Sequence, residues 1–452
     1  MSISERATPA WYNDAKLGIF VHWGLYSVPG WAPTTGTLDE APTRLGWRTW
    51  FRDNPYAEWY ANSLKIPGGP TAEHHSATYG HARYEDFAVE FNDQIQAWDP
   101  AEWSRLFKQA GAGYAVITTK HHDGFCLWPS QVPHPTLGTF HAARDLVGDF
   151  ATAVRDAGLR FGTYYSGGLD WSINPTPIAD LPDLGATVIQ DSGYAAYADA
   201  HLRELIDRYE TTILWNDIAY PRQSSLVSIV ADFYQRTPDG LVNDRFQNIG
   251  ADGSHRPLVP PDILTPEYTS FAETQAEKWE TNRGIGYSFG YNQAENEDNF
   301  IPPADLIHLF VDIVSKNGNM LLNIGPRADG SIQDGQLVRL RALGDWLSVN
   351  GEAIYGTRPW RVAECTTDAG DPVRFTQKGE ALYATLLSHP RPGRVILTGL
   401  RGGEGTGVTL LGHGPIPVTS SSGNGLEVTI PENLTTAPAH SLRIEPAPGW
   451  MG

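Results

Sequence analysis

The sequence predicts an α/β protein: a (β/α)8-like TIM barrel followed by a C-terminal antiparallel β-sandwich. Strand-like and helix-like segments alternate through most of the chain, the pattern of a parallel sheet. About eight strand-like runs occur, enough to close a barrel. From about residue 355 the texture changes to short alternating segments between Gly/Pro turns, which suits a sandwich. The expected domains are therefore 1–354 and 355–452.

Taken in order, LGIFVHWG (17–24) is a short apolar run ending in polar groups, the first strand. Residues 25–98 form a long insertion rich in Trp, Pro and Gly. DPAEWSRLFKQAGA (99–112) has a capping aspartate, a first-turn proline and helical spacing of Trp103, Leu106 and Phe107. YAVITTKHH (114–122) is the second strand. ARDLVGDFATAVRDAG (143–158) is a helix stopped by glycine, and FGTYYS (161–166) the third strand. The helix GYAAYADAHLRELIDRYE (193–210) precedes the strand TTILWND (211–217), and SLVSIVADFYQR (225–236) is the next helix. Three short strands are expected at LVND (241–244), DILTPEY (262–268) and GIGYSFGY (284–291), with no helix legible among them. The helix PADLIHLFVDIVSKNG (303–318), the strand NMLLNIGP (319–326) and the helix GQLVRLRALGDWLSVNG (335–351) complete the barrel. VRFTQKG, ALYATLL, GRVILTG and SLRIEPA are expected sandwich strands.

Composition narrows the function. The net charge of −19 disfavours phosphate backbones and anionic membranes, so nucleic acid and membrane are not expected partners. No apolar run approaches the ~20 residues of a membrane span. The N-terminus, MSISERATPAWYND, shows no signal-peptide pattern. The two cysteines, Cys126 and Cys365, exclude a disulfide framework and fit a reducing compartment, so a cytoplasmic location is expected. The chain is 11% aromatic, with 15 Trp and 19 Tyr, enough to offer platforms for apolar ligand faces. A homo-oligomer is compatible with all of this.

In a barrel, functional groups lie at the C-terminal ends of the strands. This gives a reason for YAVITT to end in Lys120, His121, His122 and Asp123. Strand one likewise ends in His22 and Trp23, strand three in Tyr164 and Tyr165, strand four in Trp215, Asn216 and Asp217, and a later strand in Glu267 and Tyr268. Histidines, aromatics and two carboxylates are the inventory of a sugar site that cleaves glycosides. Each element has a blander reading: a strand-end histidine is usually structural, WND can be a turn, and TPEY can start a helix. Neighbours on a strand face opposite ways, so His121 and His122 share the mouth only if the backbone bends. A zinc site is the rival, but the histidines lack an H-x-H or H-x-x-x-H spacing, and His74–His75 lies in the insertion. No metal and no cofactor is expected.

The motifs WYNDAKLGIFVHWG, KHHDGFCLW, YYSGGLDW, ILWND, VNDRF, TPEY, SFGYN, GNMLLNIGPRADG and WLSVNGEAIYGTRPW run in order from residue 11 to about 360. In them the chain resembles the α-L-fucosidases of glycoside hydrolase family 29. The resemblance implies a retaining exo-α-L-fucosidase acting on fucosylated oligosaccharides or glycosides through a covalent fucosyl-enzyme. Alternatives are a non-catalytic fucose-binding homologue and an α-glycosidase acting on a fucose-like sugar such as α-L-galactose. Carried across, the nucleophile is Asp217 and the acid/base Glu267, with Glu280 of KWET as the fallback because QNIGADGSHRP is inserted before TPEY. The fucose-binding positions fall on His22, Glu58, His121, His122, Tyr164 (or Tyr165), Trp215 and Arg245, and Phe289 would pack on the C5 methyl. Trp23 is expected beside that methyl as well.

Overall fold

In the computed structural model, which describes residues 6–249, 254–422 and 424–451, the barrel strands follow the expected alternation. β1 (Leu17–Val21), β2 (Tyr114–Lys120), β3 (Arg160–Ser166), β4 (Ile213–Asp217) and β5 (Leu241–Val242) pair in parallel. A small hairpin, β6 (Gln247–Ile249) and β7 (His255–Pro257), then leaves the sheet. β8 (Trp279–Gly284) and β9 (Gly318–Ile324) return on the other side, giving the order β5-β4-β3-β2-β1-β9-β8.

The gap between β5 and β8 is spanned by residues 262–268. Asn243 pairs with Ile263, Leu264 with Trp279 and Glu267 with Asn282, all in parallel. Asp262 N donates to Val242 O at 2.9 Å, and Glu280 N to Leu264 O at 2.8 Å. The segment thus occupies the eighth position without forming a continuous strand. Pro266 lacks an amide hydrogen, which interrupts the ladder at that point.

One strand expectation is overturned. GIGYSFGY is not a strand; β8 is Trp279–Gly284, and the residues after it bend through an irregular loop. The buried polar side chains of Glu280 and Asn282 deprive β8 of an apolar run. The aromatic–glycine stretch instead serves a loop.

The expected helices form at Pro100–Gln109, Leu146–Asp156, Ser192–Tyr209, Leu226–Arg236, Pro303–Ser315 and Asp334–Asn350. Asp99 caps the first through Ala101 N. The insertion contains helices that its composition did not announce, among them Trp47–Arg52, Pro70–Tyr79 and Phe87–Gln94. They join the main apolar core through Trp50, Phe51, Phe87 and Phe91.

Beyond the helix Asp334–Asn350, a six-stranded and a three-stranded antiparallel sheet share a core of residues such as Phe375, Leu397, Val428 and Leu442. Trp346 Nε1 donates to Ala439 O at 2.9 Å, which helps fix this sandwich to the outer helices of the barrel.

Candidate active site

At the C-terminal ends of the strands lies a cavity of about 230 Å³. That is below the roughly 300–1,000 Å³ typical of drug-sized ligands and suits one small sugar ring. His22, His121, His122, Tyr164, Trp215, Asp217, Arg245, Glu267 and Phe289 all line it, together with Glu58 from the insertion.

The paired histidines enter the cavity because β2 ends before them. The register between β2 and β3 slips between Thr118 and Lys120, and His121 already lies outside the strand. The chain then turns, with Gly124 N donating to His121 O at 3.1 Å. Gly124 has φ +84°, and a Cβ there would collide with Ser172 Oγ and Asp170 Oδ1. Lys120 turns away from the cavity, and its Nζ meets Asp170 Oδ2 at 3.0 Å with both side chains fully buried. Asp123 accepts from Tyr84 Oη at 2.7 Å and from Phe125 N at 3.1 Å. The four polar residues therefore divide their work: two face the cavity, and two fasten the turn that puts them there.

The histidine rings are held neutral. Burial lowers His22 to about 3, against the hydrogen bond it donates to Asn323. Burial also lowers His122 to about 4, and takes His121 well below its ordinary value with help from its histidine neighbours. His22 Nδ1 lies 2.7 Å from Asn323 Oδ1, whose amide is oriented by its own bond to Phe289 O at 2.6 Å. His22 Nδ1 is therefore the protonated nitrogen and Nε2 is free to accept. Ser166 Oγ spends its proton on Leu169 O, so it accepts from His122 Nδ1 at 2.7 Å. His122 Nε2 is then an acceptor 3.5 Å from Asp217 Oδ2. His121 Nδ1 has no partner among the described residues. Acceptors backed in this way suit ligand hydroxyls that donate.

The two carboxylates differ in charge preference. Asp217 is buried, which favours its acid form. The Arg245 charge and hydrogen bonds from Arg245 and Tyr164 outweigh that, and its pKa lies below the usual range. Arg245 Nη1 is 2.6 Å from Asp217 Oδ1, and Tyr164 Oη donates to Oδ2 at 2.8 Å. Glu267 is shifted the other way: burial and the nearby Asp217 charge raise it, although Arg245 and the Tyr56 hydroxyl oppose them. Tyr56 Oη donates to Glu267 Oε1 at 2.8 Å, and Arg245 Nη2 is 3.5 Å from Oε2. One guanidinium thus reaches both carboxylates. It also lies over the Trp215 ring, 4.6 Å from the centroid, and is anchored by Thr265 O at 2.9 Å.

Some expectations are corrected. Trp23 does not line the cavity. It packs on Phe91, Trp98 and Trp103, and its Nε1 donates to Arg327 O at 2.8 Å. His22 points inward, so its neighbour points away. Tyr165 also faces outward, to His201 Nδ1 at 3.1 Å, leaving Tyr164 in the cavity. Glu280 lies inside the barrel, bonded by Tyr12 at 2.6 Å, Tyr114 at 2.5 Å and Trp215 at 3.2 Å, and does not line the cavity.

Tyr56 and Trp59 also line the cavity, beyond the residues expected from the sequence. The available signal was the stretch 47-WRTWFRDNPYAEWY-60, dense in aromatics around Glu58. Glu58 Oε2 accepts from Gly290 N at 2.7 Å and Ser288 Oγ at 3.2 Å, fixing the loop that carries Phe289. Burial raises Glu58 to about 7. Phe289 sits 5.0 Å from the His22 ring and 5.4 Å from Tyr56. Among the described residues, no group of three His, Cys, Asp or Glu is placed to hold a metal ion, and no helix is long and apolar enough to cross a membrane.

Comparison with known proteins bears on this geometry. The profile of the family described as alpha-L-fucosidase matches residues 1–352, and that of the alpha-L-fucosidase C-terminal domain matches 367–445. The chain is 31% identical over 457 residues to an alpha-L-fucosidase of Dictyostelium discoideum, covering 98% of this chain and 90% of that one. It is 31% identical over 460 residues to human tissue alpha-L-fucosidase, covering 95% and 87%. Among solved structures, the Thermotoga maritima alpha-fucosidase in complex with a mechanism-based inhibitor superposes with a TM-score of 0.87 at 41% identity, covering 98% of each chain. The same enzyme in complex with fucose gives 0.86 at 42% identity, again covering 98% of each chain.

Proposed function

The chain belongs to the alpha-L-fucosidase family, and we propose that Asp217 is its nucleophile and Glu267 its general acid and base. The enzyme is a glycoside hydrolase that releases terminal α-L-fucose with retention through a covalent fucosyl-enzyme; neither the binding-only alternative nor the L-galactose alternative is favoured. The observation that carries the two roles is the opposed titration of carboxylates reached by one guanidinium: Asp217 held ionised, Glu267 pushed toward its acid form.

In the first step Asp217 attacks the anomeric carbon while Glu267 passes its proton to the departing glycosidic oxygen. The C–O bond to the aglycone breaks as the Asp217–C1 ester forms. In the second step the Glu267 carboxylate takes a proton from water, the water oxygen bonds to C1, and Asp217 leaves as carboxylate. Two inversions give retention. Arg245 and Tyr164 stabilise Asp217 before attack and after release. His22, His121 and His122 are neutral at pH 7 and read hydroxyls without adding charge. Phe289 is assigned to the C5 methyl, where an apolar ring suits a deoxy sugar. We also infer a cytoplasmic location, supported by two free cysteines.

Azide rescue tests the assignment. In Asp217→Gly, azide replaces the nucleophile and should give the β-azide from an activated fucoside. In Glu267→Ala, azide attacks the covalent intermediate and should give the α-azide. Full activity of Glu267→Ala on a fucosyl disaccharide, together with an α-azide from Glu280→Ala, would move the acid/base role to Glu280.

A further inference from the structure

Solvent exposure separates two parts of the cavity wall. Most lining residues are buried, but Leu38, Trp47, Leu181, Leu184, Ile218, Arg245 and Glu267 retain access to solvent. Those residues mark the mouth. Two of them are charged groups of the reaction, and the other five are apolar. Glu267, the proton donor, stands at the open side, while Asp217 is buried beneath. The group that leaves must therefore depart past Glu267, between apolar walls.

The walls come from separate parts of the chain. Leu38 and Trp47 belong to the insertion after β1. Leu181 and Leu184 lie on the short helix Leu181–Ala186, after β3. Arg48 Nε meets Asp180 Oδ2 at 2.7 Å, joining these two walls across the opening. Ile218 follows the nucleophile directly and has φ +43°. A β-branched residue in the left-handed region is strained, and here the strained residue contributes its side chain to the mouth.

We propose that these five side chains form a leaving-group subsite that binds aglycones by a flat apolar face, an aromatic ring or the C–H face of a pyranose, with Trp47 as its platform. The proposal rests on the assignment of Glu267 as the acid. Among the described lining residues of the mouth, the one side-chain hydrogen-bonding group beyond the two charged residues is the Trp47 indole N–H, and Arg48 and Asp180 spend a donor and an acceptor on each other, so the mouth reads shape and apolar area in preference to a pattern of hydroxyls.

The test compares kcat/KM for α-L-fucosyl fluoride, a naphthyl α-L-fucoside and a fucosyl disaccharide in the wild type, Trp47→Ala and Leu181→Ser. The fluoride has a one-atom leaving group that cannot reach the walls, and kcat/KM reports the step that includes aglycone binding. Normalising each variant to its own fluoride rate cancels leaving-group acidity and changes in fold. The naphthyl-to-fluoride ratio should fall about tenfold in Trp47→Ala, equivalent to ~1.4 kcal/mol, and severalfold in Leu181→Ser. Leu181 is 42% exposed, so its variant keeps the core intact. A parallel fall for the disaccharide identifies a sugar face as a ligand; a fall for the naphthyl compound alone restricts the subsite to aromatic aglycones. Unchanged ratios in both variants, with the fluoride still hydrolysed, would overturn the subsite. If the wild type hydrolyses no fucosyl fluoride, the sugar-site reading itself fails and takes this proposal with it.

Discussion

Lys120→Met removes one half of a fully buried ion pair and leaves Asp170 behind. Lys120 Nζ and Asp170 Oδ2 are 3.0 Å apart, worth about 5.5 kcal/mol of Coulomb attraction at an effective dielectric of ~20. Desolvation offsets much of that in the intact pair, but deleting one partner exposes the full cost of the other, typically ~3–5 kcal/mol. The ion pair joins the end of β2 to the loop after β3, and Asp170 Oδ1 also holds Ser172. The loss should thus loosen the turn that presents His121 and His122. The urea midpoint should fall by the equivalent of ~3–5 kcal/mol, and kcat/KM for an aryl α-L-fucoside by about 100-fold, roughly 2.7 kcal/mol of transition-state binding. Inhibition by a fucose-like iminosugar should weaken in parallel, because the displaced rings are binding groups. In Lys120→Met/Asp170→Asn no buried charge is stranded, so much of the stability should return while activity stays low. Wild-type midpoint and wild-type kcat/KM in the single variant would refute the claim that this pair fastens the turn.

Other consequences are open to direct measurement. Tyr56→Phe removes a donor that favours ionised Glu267; its pKa should rise and the alkaline limb of kcat/KM should move up, by as much as about one pH unit, whereas an unmoved or lowered limb contradicts the contact. Phe289 at the C5 methyl should favour aryl α-L-fucoside over the α-L-galactoside on the order of 100-fold, and equal kcat/KM for the two would displace it from that role. Burial raises Glu295 to about 8, so its contribution to stability is complete below its unfolded pKa near 4.5 and is lost as pH rises through about 8. Glu295→Gln should flatten the decline between those values, which one group can make at most about 1.4 kcal/mol per pH unit; an unchanged pH profile of urea midpoints would contradict the shift.

Much of this architecture was legible because burial writes itself into residue choice. β1 to β4 and β9 are apolar runs, and the helices carry apolar stripes with caps such as Asp99. β8 was not legible: its buried polar side chains resemble a loop, while the aromatic–glycine run after it resembles a strand. The eighth barrel position was legible in place but not in form, since Pro266 breaks its ladder. Within the site, His22, Asp217 and Glu267 follow from strand-end position. Trp23 shows the limit of that rule, because side-chain alternation turns it outward. The histidine pair shows the reverse, for alternation alone forbids both from facing the cavity, and only a register slip fastened by Lys120 and Asp123 permits it. Tyr56 and Trp59 reach the mouth by the path of the long insertion, which local periodicity does not reveal.

The roles of the two carboxylates are tested most directly by trapping the intermediate. A 2-deoxy-2-fluoro-α-L-fucosyl fluoride should form its ester rapidly and release it slowly, and peptide mass spectrometry can then locate the sugar. One fluorofucosyl group per chain is expected, on Asp217 within the segment ILWND, with turnover of ordinary fucosides lost in proportion. A label on Glu267, on Glu280 or on any other residue would contradict it.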